Sequence, residues 1–512
     1  MLNLMNSINV SVAIFFAFSL TFQCSATPSV IIVGAGSAGI AAASKLLQNN
    51  ITNVIILEAE NRIGGRIYSV KFGDAFVDLG AQWCHGEKNN IVHEMVMNLN
   101  LLRPGIENYD YYSSSGKILN KTFVDELYSL FLTIYYEDKN DNKTSLGDYI
   151  IKRYNDYVLQ KYAENRQNLK LAKECLDIFM KAALSEQGAF SWFDISANDD
   201  YELCEGNQLQ NWKGRGYKTI LDVLMQKYPN PKNRLPIEDK IFLNKEVAAI
   251  EWNNKYYGYS ENVAVKCRDG SVYYADHVIF TPSLAVLKNN YRSLFHPALP
   301  KEKANIIEAL GIGAVLKIFL HFPYKWWPDS SGIVFIWPEN KKGLLRKFRK
   351  ELMENGTSWI TNLAGLFVVE KENPNVLSAW FLGRFVPEIE TYSDDLLVNG
   401  IMFVLNTFAK HDFPNILKPN SVIRNNWYSN RHFRGVYSYQ TIKSRQYEDS
   451  PEIILSKPLA SSDGKQTLLF AGEATHPIYY STVHGAIETG FREAQRIIDI
   501  YKLNYVKYKY NL

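Results

Sequence analysis

The apolar positions of this chain follow two different periods. Ser29 to Val33 is a continuous β-branched run, the pattern of a short strand buried on both faces. Gly34, Gly36 and Gly39 follow it in the spacing G-x-G-x-x-G. Ala41, Ala42, Ala43, Leu46 and Leu47 then predict a helix packed closely on a sheet. A second strand, Asn53 to Leu57, ends at Glu58, nineteen residues after Gly39. Thr467 to Phe470 is a third β run, closing on Gly472 and Glu473. From Gly485 to Ile500 the period becomes helical, with Ala486, Ile487, Phe491, Ala494, Ile497 and Ile498 on one side. Between these ends, Leu146 to Leu184 is helix-rich, and Ile241 to Ala248 and Asn262 to Phe280 read as strands. Lys301 to Phe413 mixes both patterns. The expected fold is α/β, with a first domain that the chain leaves and rejoins.

Composition narrows the class. The chain has 512 residues, 46% of them hydrophobic and 21% charged, as in ordinary globular proteins. The net charge is +3, and no basic block or zinc spacing occurs, so neither a nucleic-acid partner nor a metal is expected. Ser11 to Phe22 is an apolar-leaning run of about twelve residues, too short for the roughly 20 that cross a bilayer. With Cys24 and Ala26 as small residues behind it, it reads as a secretory signal over residues 1–26. The Met1–Val10 stretch lacks Lys and Arg, and the last residues, Tyr510-Asn511-Leu512, are not a peroxisomal address. Asn50, Asn120, Asn142 and Asn355 open glycosylation sequons compatible with secretion. Beyond the leader lie Cys84, Cys175, Cys204 and Cys267; Cys175 with Cys204 is the pair to test for a disulfide, while Cys84 reads as a packing residue.

The glycine spacing carries the first chemistry. Gly34 makes the tight turn, Gly36 lets backbone approach a diphosphate, and Gly39 allows close helix–strand contact. The helix N-terminus offers unpaired N–H groups to the phosphates, and Glu58 suits the ribose hydroxyls. On this evidence NAD and FAD both remain open. After Glu58 the chain continues E-A-E-N-R-I-G-G-R, placing Gly64, Gly65 and the cation Arg66 where a second approach to phosphate is wanted.

Here the sequence resembles the flavin-containing amine oxidases. The resemblance extends to GAQWCHG at Gly80–Gly86, GIGAVLKIFLHF at Gly311–Phe322 and AGEATHPIYYSTVHGAIETGFREA at Ala471–Ala494. It implies a two-domain FAD-dependent fold: a discontinuous FAD domain over 27–110, 211–300 and 421–512, and a mixed substrate domain over 111–210 and 301–420. It also implies that Val247 meets the adenine through its backbone, and that Glu473 and Thr475 lie near the diphosphate and ribityl chain. Trp427 and Arg434–Ser438 would lie beside the flavin ring. No cysteine stands there, so FAD should be non-covalent.

Lys317 is unusual on physical grounds, because an ammonium in an apolar β run is costly to bury. The resemblance makes it the lysine that holds a water against flavin N5. His85 corresponds to a histidine at the substrate channel. Tyr437 would form one aromatic wall, with Thr482 where some relatives place a second aromatic. The Tyr480–Gly485 run is similar to vertebrate-type polyamine oxidases. Glu186 and, less directly, Asp194 are candidates for binding a cationic substrate.

The implied activity is that of a secreted polyamine oxidase. It would pass hydride from spermine, spermidine or an acetylated form to flavin N5. Dioxygen would reoxidise the flavin, giving an aldehyde, a shorter amine and hydrogen peroxide. Two alternatives remain at this point: an L-amino-acid or other amine oxidase, and a non-catalytic secreted flavoprotein. The oligomeric state is left open.

Overall fold

The computed structural model describes residues 27–139, 143–253, 262–346 and 359–510. The leader and the sequons at Asn142 and Asn355 lie outside these residues.

The first sheet has six strands, in the order Leu459–Ala460, Gln466–Phe470, His277–Phe280, Val30–Val33, Val54–Leu57 and Ile241–Phe242. All pairings are parallel except the one at the Leu459–Ala460 edge. Val30–Val33 is buried throughout, as its unbroken β-branched pattern requires of a central parallel strand. The helix Ser37–Gln48 follows, and the C-terminal helix Val483–Tyr510 packs across it. Small residues set that approach. A Cβ on Gly490 would stand 2.1 Å from the Ala38 carbonyl oxygen, and one on Gly39 would stand 2.0 Å from that of Gly34. A four-stranded sheet, Phe295–His296, Val247–Glu251, Val263–Cys267 and Val272–Ala275, shares an apolar core with the other side.

Two strand expectations need correction. Ile241–Ala248 is not one strand: Asn244, at φ +57, turns the chain between Ile241–Phe242 and Val247–Glu251, which join different sheets. Asn262–Phe280 is three strands, Val263–Cys267, Val272–Ala275 and His277–Phe280. Gly270, at φ +87, makes the first break. At the second, the Asp276 carboxylate turns aside to accept from Ser29 N and Oγ.

The second large sheet runs Ser421–Arg424, Val315–His321, Val376–Leu382, Leu363–Val368, Gly332–Ile336 and Tyr109–Ser113. Leu316, Ile318 and Leu320 point to one face, covered by the helix Asp394–Phe408. Val315, Lys317 and Phe319 point to the other by strand alternation. Helices Lys121–Tyr136, Leu146–Lys161 and Arg166–Gln187 build the core beside Val315. Asn120, Ser145 and Asn165 cap their N-termini by accepting from backbone N–H groups three residues on.

The expected disulfide does not form. Cys84, Cys175, Cys204 and Cys267 are all free and buried. Cys175 belongs to the helical core with Ala172 and Phe179, whereas Cys204 sits against Asn89 O and His484. Burial pushes the Cys84 and Cys175 thiols up to about 12 and that of Cys204 up to about 11, so all three are un-ionised packing groups.

Because Gly490 leaves no room for a side chain, Gly490→Leu is expected to lower stability by about 1–3 kcal/mol. It should also loosen the helix that carries Ala486 to the cavity and that Thr482 opens. Thermal unfolding reads the loss, and an unchanged Tm would show that the helix pair can separate without cost.

Candidate functional site

A cavity of about 560 Å³ runs between the two large sheets. One end is built from Gly34, Gly36, Ser37, Glu58, Lys245 and Val247, and the other from Glu107, Tyr128, Tyr136, Glu186 and Tyr201. Lys317, Gln82, Trp83, His85, Trp380, Trp427, Tyr437 and Thr482 line the same space.

The phosphate cradle consists of glycine backbone. Gly34 adopts φ +101, and a Cβ there would lie 2.6 Å from Thr281 Oγ1. Gly64 and Gly65 adopt φ +100 and +58, and a Cβ on Gly65 would lie 3.3 Å from Gly36 Cα. The helix beginning at Ser37 has no side-chain cap, so its first N–H groups are open to an anion. Gly39 lies behind this cradle and serves only helix–strand contact, as its spacing predicts.

Glu58 is 7% exposed. Its carboxylate accepts from Ala35 N at 2.7 Å and Glu60 N at 2.8 Å. Burial raises its pKa, and the two backbone donors oppose the rise. Arg66 spans the middle of the cavity wall. Its Nη1 donates to Glu473 Oε1 at 2.9 Å and to Val436 O at 2.6 Å. Glu473, only 4% exposed, also accepts from Ser438 Oγ at 2.6 Å and Ser481 N at 2.9 Å. This fixes the guanidinium edge-on and leaves its remaining N–H groups for phosphate. A dinucleotide with two phosphates fits such a donor set: glycine backbone, a helix N-terminus, one oriented arginine and a ribose-facing carboxylate.

Thr475 is placed differently from the expectation. It does not line the main cavity, but borders a small recess beside it with Arg66, Ser283 and Gly472. Its hydroxyl donates to Gly472 O at 2.8 Å, supporting the turn that carries Glu473. Thr482 lines the cavity, yet its hydroxyl donates to Tyr479 O at 2.7 Å and accepts from Gly485 N at 3.0 Å. That oxygen is occupied in opening the C-terminal helix, so it is not offered to a substrate. Asp194 is exposed and away from the cavity.

Lys317 is 7% exposed, and its Nζ donates to Asp78 O at 2.6 Å, Gly80 O at 2.6 Å and Gln82 Oε1 at 3.0 Å. It also lies 5.3 Å from the Trp380 ring centroid. Burial pulls its pKa down. Three oxygen acceptors hold the proton on, since a neutral amine could satisfy only two of them. The nearby Asp78 carboxyl, raised by the same burial, takes its hydrogen bonds from Ser69 Oγ and Tyr217 N.

His85 Nδ1 lies 2.8 Å from Gln208 O, which makes Nδ1 the protonated nitrogen and leaves Nε2 as an acceptor. Burial lowers its pKa, keeping the ring neutral. Behind it His484 is buried and pulled down to about 3. Trp427 is 3% exposed and donates from Nε1 to Leu79 O at 3.0 Å. Tyr437 donates its hydroxyl to Ser185 O.

Glu186 and Glu107 line the cavity and are both exposed to it, with protein packed closely around Glu186. Burial, then the Glu107 charge, pushes Glu186 up to about 7. Sequence reasoning missed Glu107 and the stacked pair Trp83–Trp380, whose centroids lie 5.6 Å apart. Only the cross-strand pairing of Lys317 with Trp380 explains the second of these, and no local pattern announces it. Among the described residues no metal-ligating cluster occurs, and no cysteine lines the cavity.

The sequence profile of flavin containing amine oxidoreductases matches residues 37–498. The chain belongs to this family. It is 30% identical over 509 residues to the human peroxisomal N(1)-acetyl-spermine/spermidine oxidase, covering 93% of this chain and 95% of that one. It is 27% identical to the probable polyamine oxidase 5 of Arabidopsis thaliana, covering 93% and 99%, and 27% identical to polyamine oxidase 1 of Zea mays, covering 94% and 92%. A putrescine oxidase variant with redesigned cofactor binding superposes with a TM-score of 0.60 at 18% identity, covering 92% of this chain and 99% of that one. This shared fold is the two-domain FAD amine oxidase fold, and the chain is an FAD-dependent amine oxidoreductase that holds its flavin non-covalently.

Within this family member, replacing Lys317 by Met strips three acceptors of their donor. FAD should remain bound, because the phosphate cradle is untouched. Flavin reoxidation by dioxygen should slow by about 100-fold, the usual cost of removing one preorganised electrostatic group. Stopped-flow reoxidation at unchanged rate would remove Lys317 from the oxygen reaction.

Proposed function

We propose that the chain is a secreted oxidase of polyamines, acting on spermine, spermidine or an N-acetylated form with dioxygen. The bound flavin supplies hydride acceptance and reaction with oxygen; the protein supplies orientation, charge and dryness.

The observation that carries this reading is the charge balance of the cavity. Each of its lining cations already has an anionic or carbonyl partner. Arg66 faces Glu473, Lys245 faces Asp269, and Arg268 and Arg431 both face Glu246. Lys317 is saturated by Asp78, Gly80 and Gln82. Glu107 and Glu186 have no basic partner among the described residues. A cation is therefore wanted at this end. An amino-acid substrate would instead require a guanidinium to clamp its carboxylate.

The roles of the side chains follow. Glu186 and Glu107 hold a distal ammonium. Trp83, Trp380 and Tyr437 enclose the methylene chain and exclude water. His85, neutral with Nε2 free, accepts a hydrogen bond or a proton from the reacting nitrogen. That nitrogen must be neutral before its neighbouring carbon can give up hydride, and a dry aromatic enclosure favours the neutral form. The apolar run Ser11–Phe22 is the support for export.

Glu186 sets a pH dependence. A carboxyl raised to about 7 is neutral below that pH and charged above it. A cationic substrate pairs only with the charged form, so its KM should fall as pH rises through about 7. Glu186→Gln should raise KM for spermine about 10- to 100-fold, the value of a charge-assisted hydrogen bond, and abolish that pH step. A KM profile identical in enzyme and variant would contradict the polyamine reading.

A further inference from the structure

Lys317 fixes more than its own position. An ammonium can only donate, so the Gln82 side-chain atom 3.0 Å from it must be the oxygen, Oε1. That assignment decides where the other half of the amide goes. Gln82 is 6% exposed and lines the cavity. Its Nε2 has no hydrogen-bond partner among the described residues, and it is not sealed away from the cavity as a buried orphan. The amide therefore offers a donor to whatever fills the space. Once a ligand dries the cavity, an unmet donor is unfavourable, so the ligand should carry an acceptor there.

The location says which ligand. Glu58 and Val247 take the adenine–ribose end of the dinucleotide, and Gly34, Gly36 and Arg66 take its phosphates. Gln82 lies beyond them. Its neighbours are Gly80, where a Cβ would stand 3.0 Å from Trp427 Cζ2, and Trp83, stacked on Trp380. The flavin ring is the part of FAD left for this stretch, and its edge carries carbonyl and ring-nitrogen acceptors.

We propose that Gln82 orients the cofactor: its amide N–H, turned to the cavity by Lys317, donates to an acceptor on the flavin ring. A donor polarised by a buried cation stabilises negative charge on the ring, so it should make the flavin easier to reduce. This rests on the flavin assignment alone and is independent of the polyamine reading.

The test needs no amine. Gln82→Leu and Gln82→Met holoenzymes are titrated with dithionite beside a reference dye, and their flavin spectra are compared with that of the unsubstituted protein. FAD should stay bound, its absorbance bands should move, and its reduction potential should shift to a more negative value. Gln82→Met keeps the side-chain length, so it carries the test if Gln82→Leu does not fold. In a Lys317→Met background the amide is free to turn, and the same substitutions should produce less than half the shift. An unchanged spectrum and potential in Gln82→Met with FAD bound would overturn the proposal. So would a shift that is undiminished in the Lys317→Met background.

Discussion

A single ammonium buried between the two sheets organises this molecule. Lys317 stands on an inner strand of the second sheet, next to its edge, but all three of its acceptors come from the 78–82 segment, which follows the phosphate cradle. An unpaired charge there would be costly, so the 78–82 segment must stay docked on this strand for the ammonium to be tolerated. The contact fixes the distance between the cradle and the aromatic wall, and hence the length of the cavity. Arg66 makes a second tie, from the glycine pair to Glu473 and the Val436 carbonyl. Glu473 then orders Ser438 and Ser481, the turns from which Tyr437 and the C-terminal helix leave. Cofactor positioning and domain docking are therefore one network.

The cavity separates its two tasks by charge. The dinucleotide end is rich in cations matched to carboxylates, with glycine backbone between them. The opposite end is tyrosine-walled and keeps two carboxyls that have no basic partner among the described residues. Burial leaves Glu186 poised near neutrality, which a cationic ligand would tip toward ionisation. The reacting nitrogen of such a substrate would instead lie in the aromatic stretch, where burial disfavours its charged form and the free Nε2 of His85 can take its proton. The same molecule can thus be held as a cation at one end and made neutral at the other.

Much of this is legible in sequence. The strand–glycine–helix–acid order fixes the nucleotide end because local backbone sterics dictate it. Lys317 stands out because its neighbours are apolar, and strand alternation then places it on the inner face. What could not be read depends on contacts distant in sequence. Thr475 and Thr482 look like ligands in a linear motif, but their hydroxyls are consumed by the turn and the helix start that the motif builds. Trp380 and Glu107 reach the site only through sheet pairing and a loop with no pattern of its own. Cys175 and Cys204, a permissible pair by count, are packed into different cores.

The most direct test of the central claim is anaerobic mixing of the purified holoenzyme with spermine, N-acetylspermine and a panel of L-amino acids, read by flavin absorbance. The charge balance of the cavity predicts bleaching by a polyamine and none by the amino acids. Bleaching by amino acids, with the polyamines inert, would contradict it.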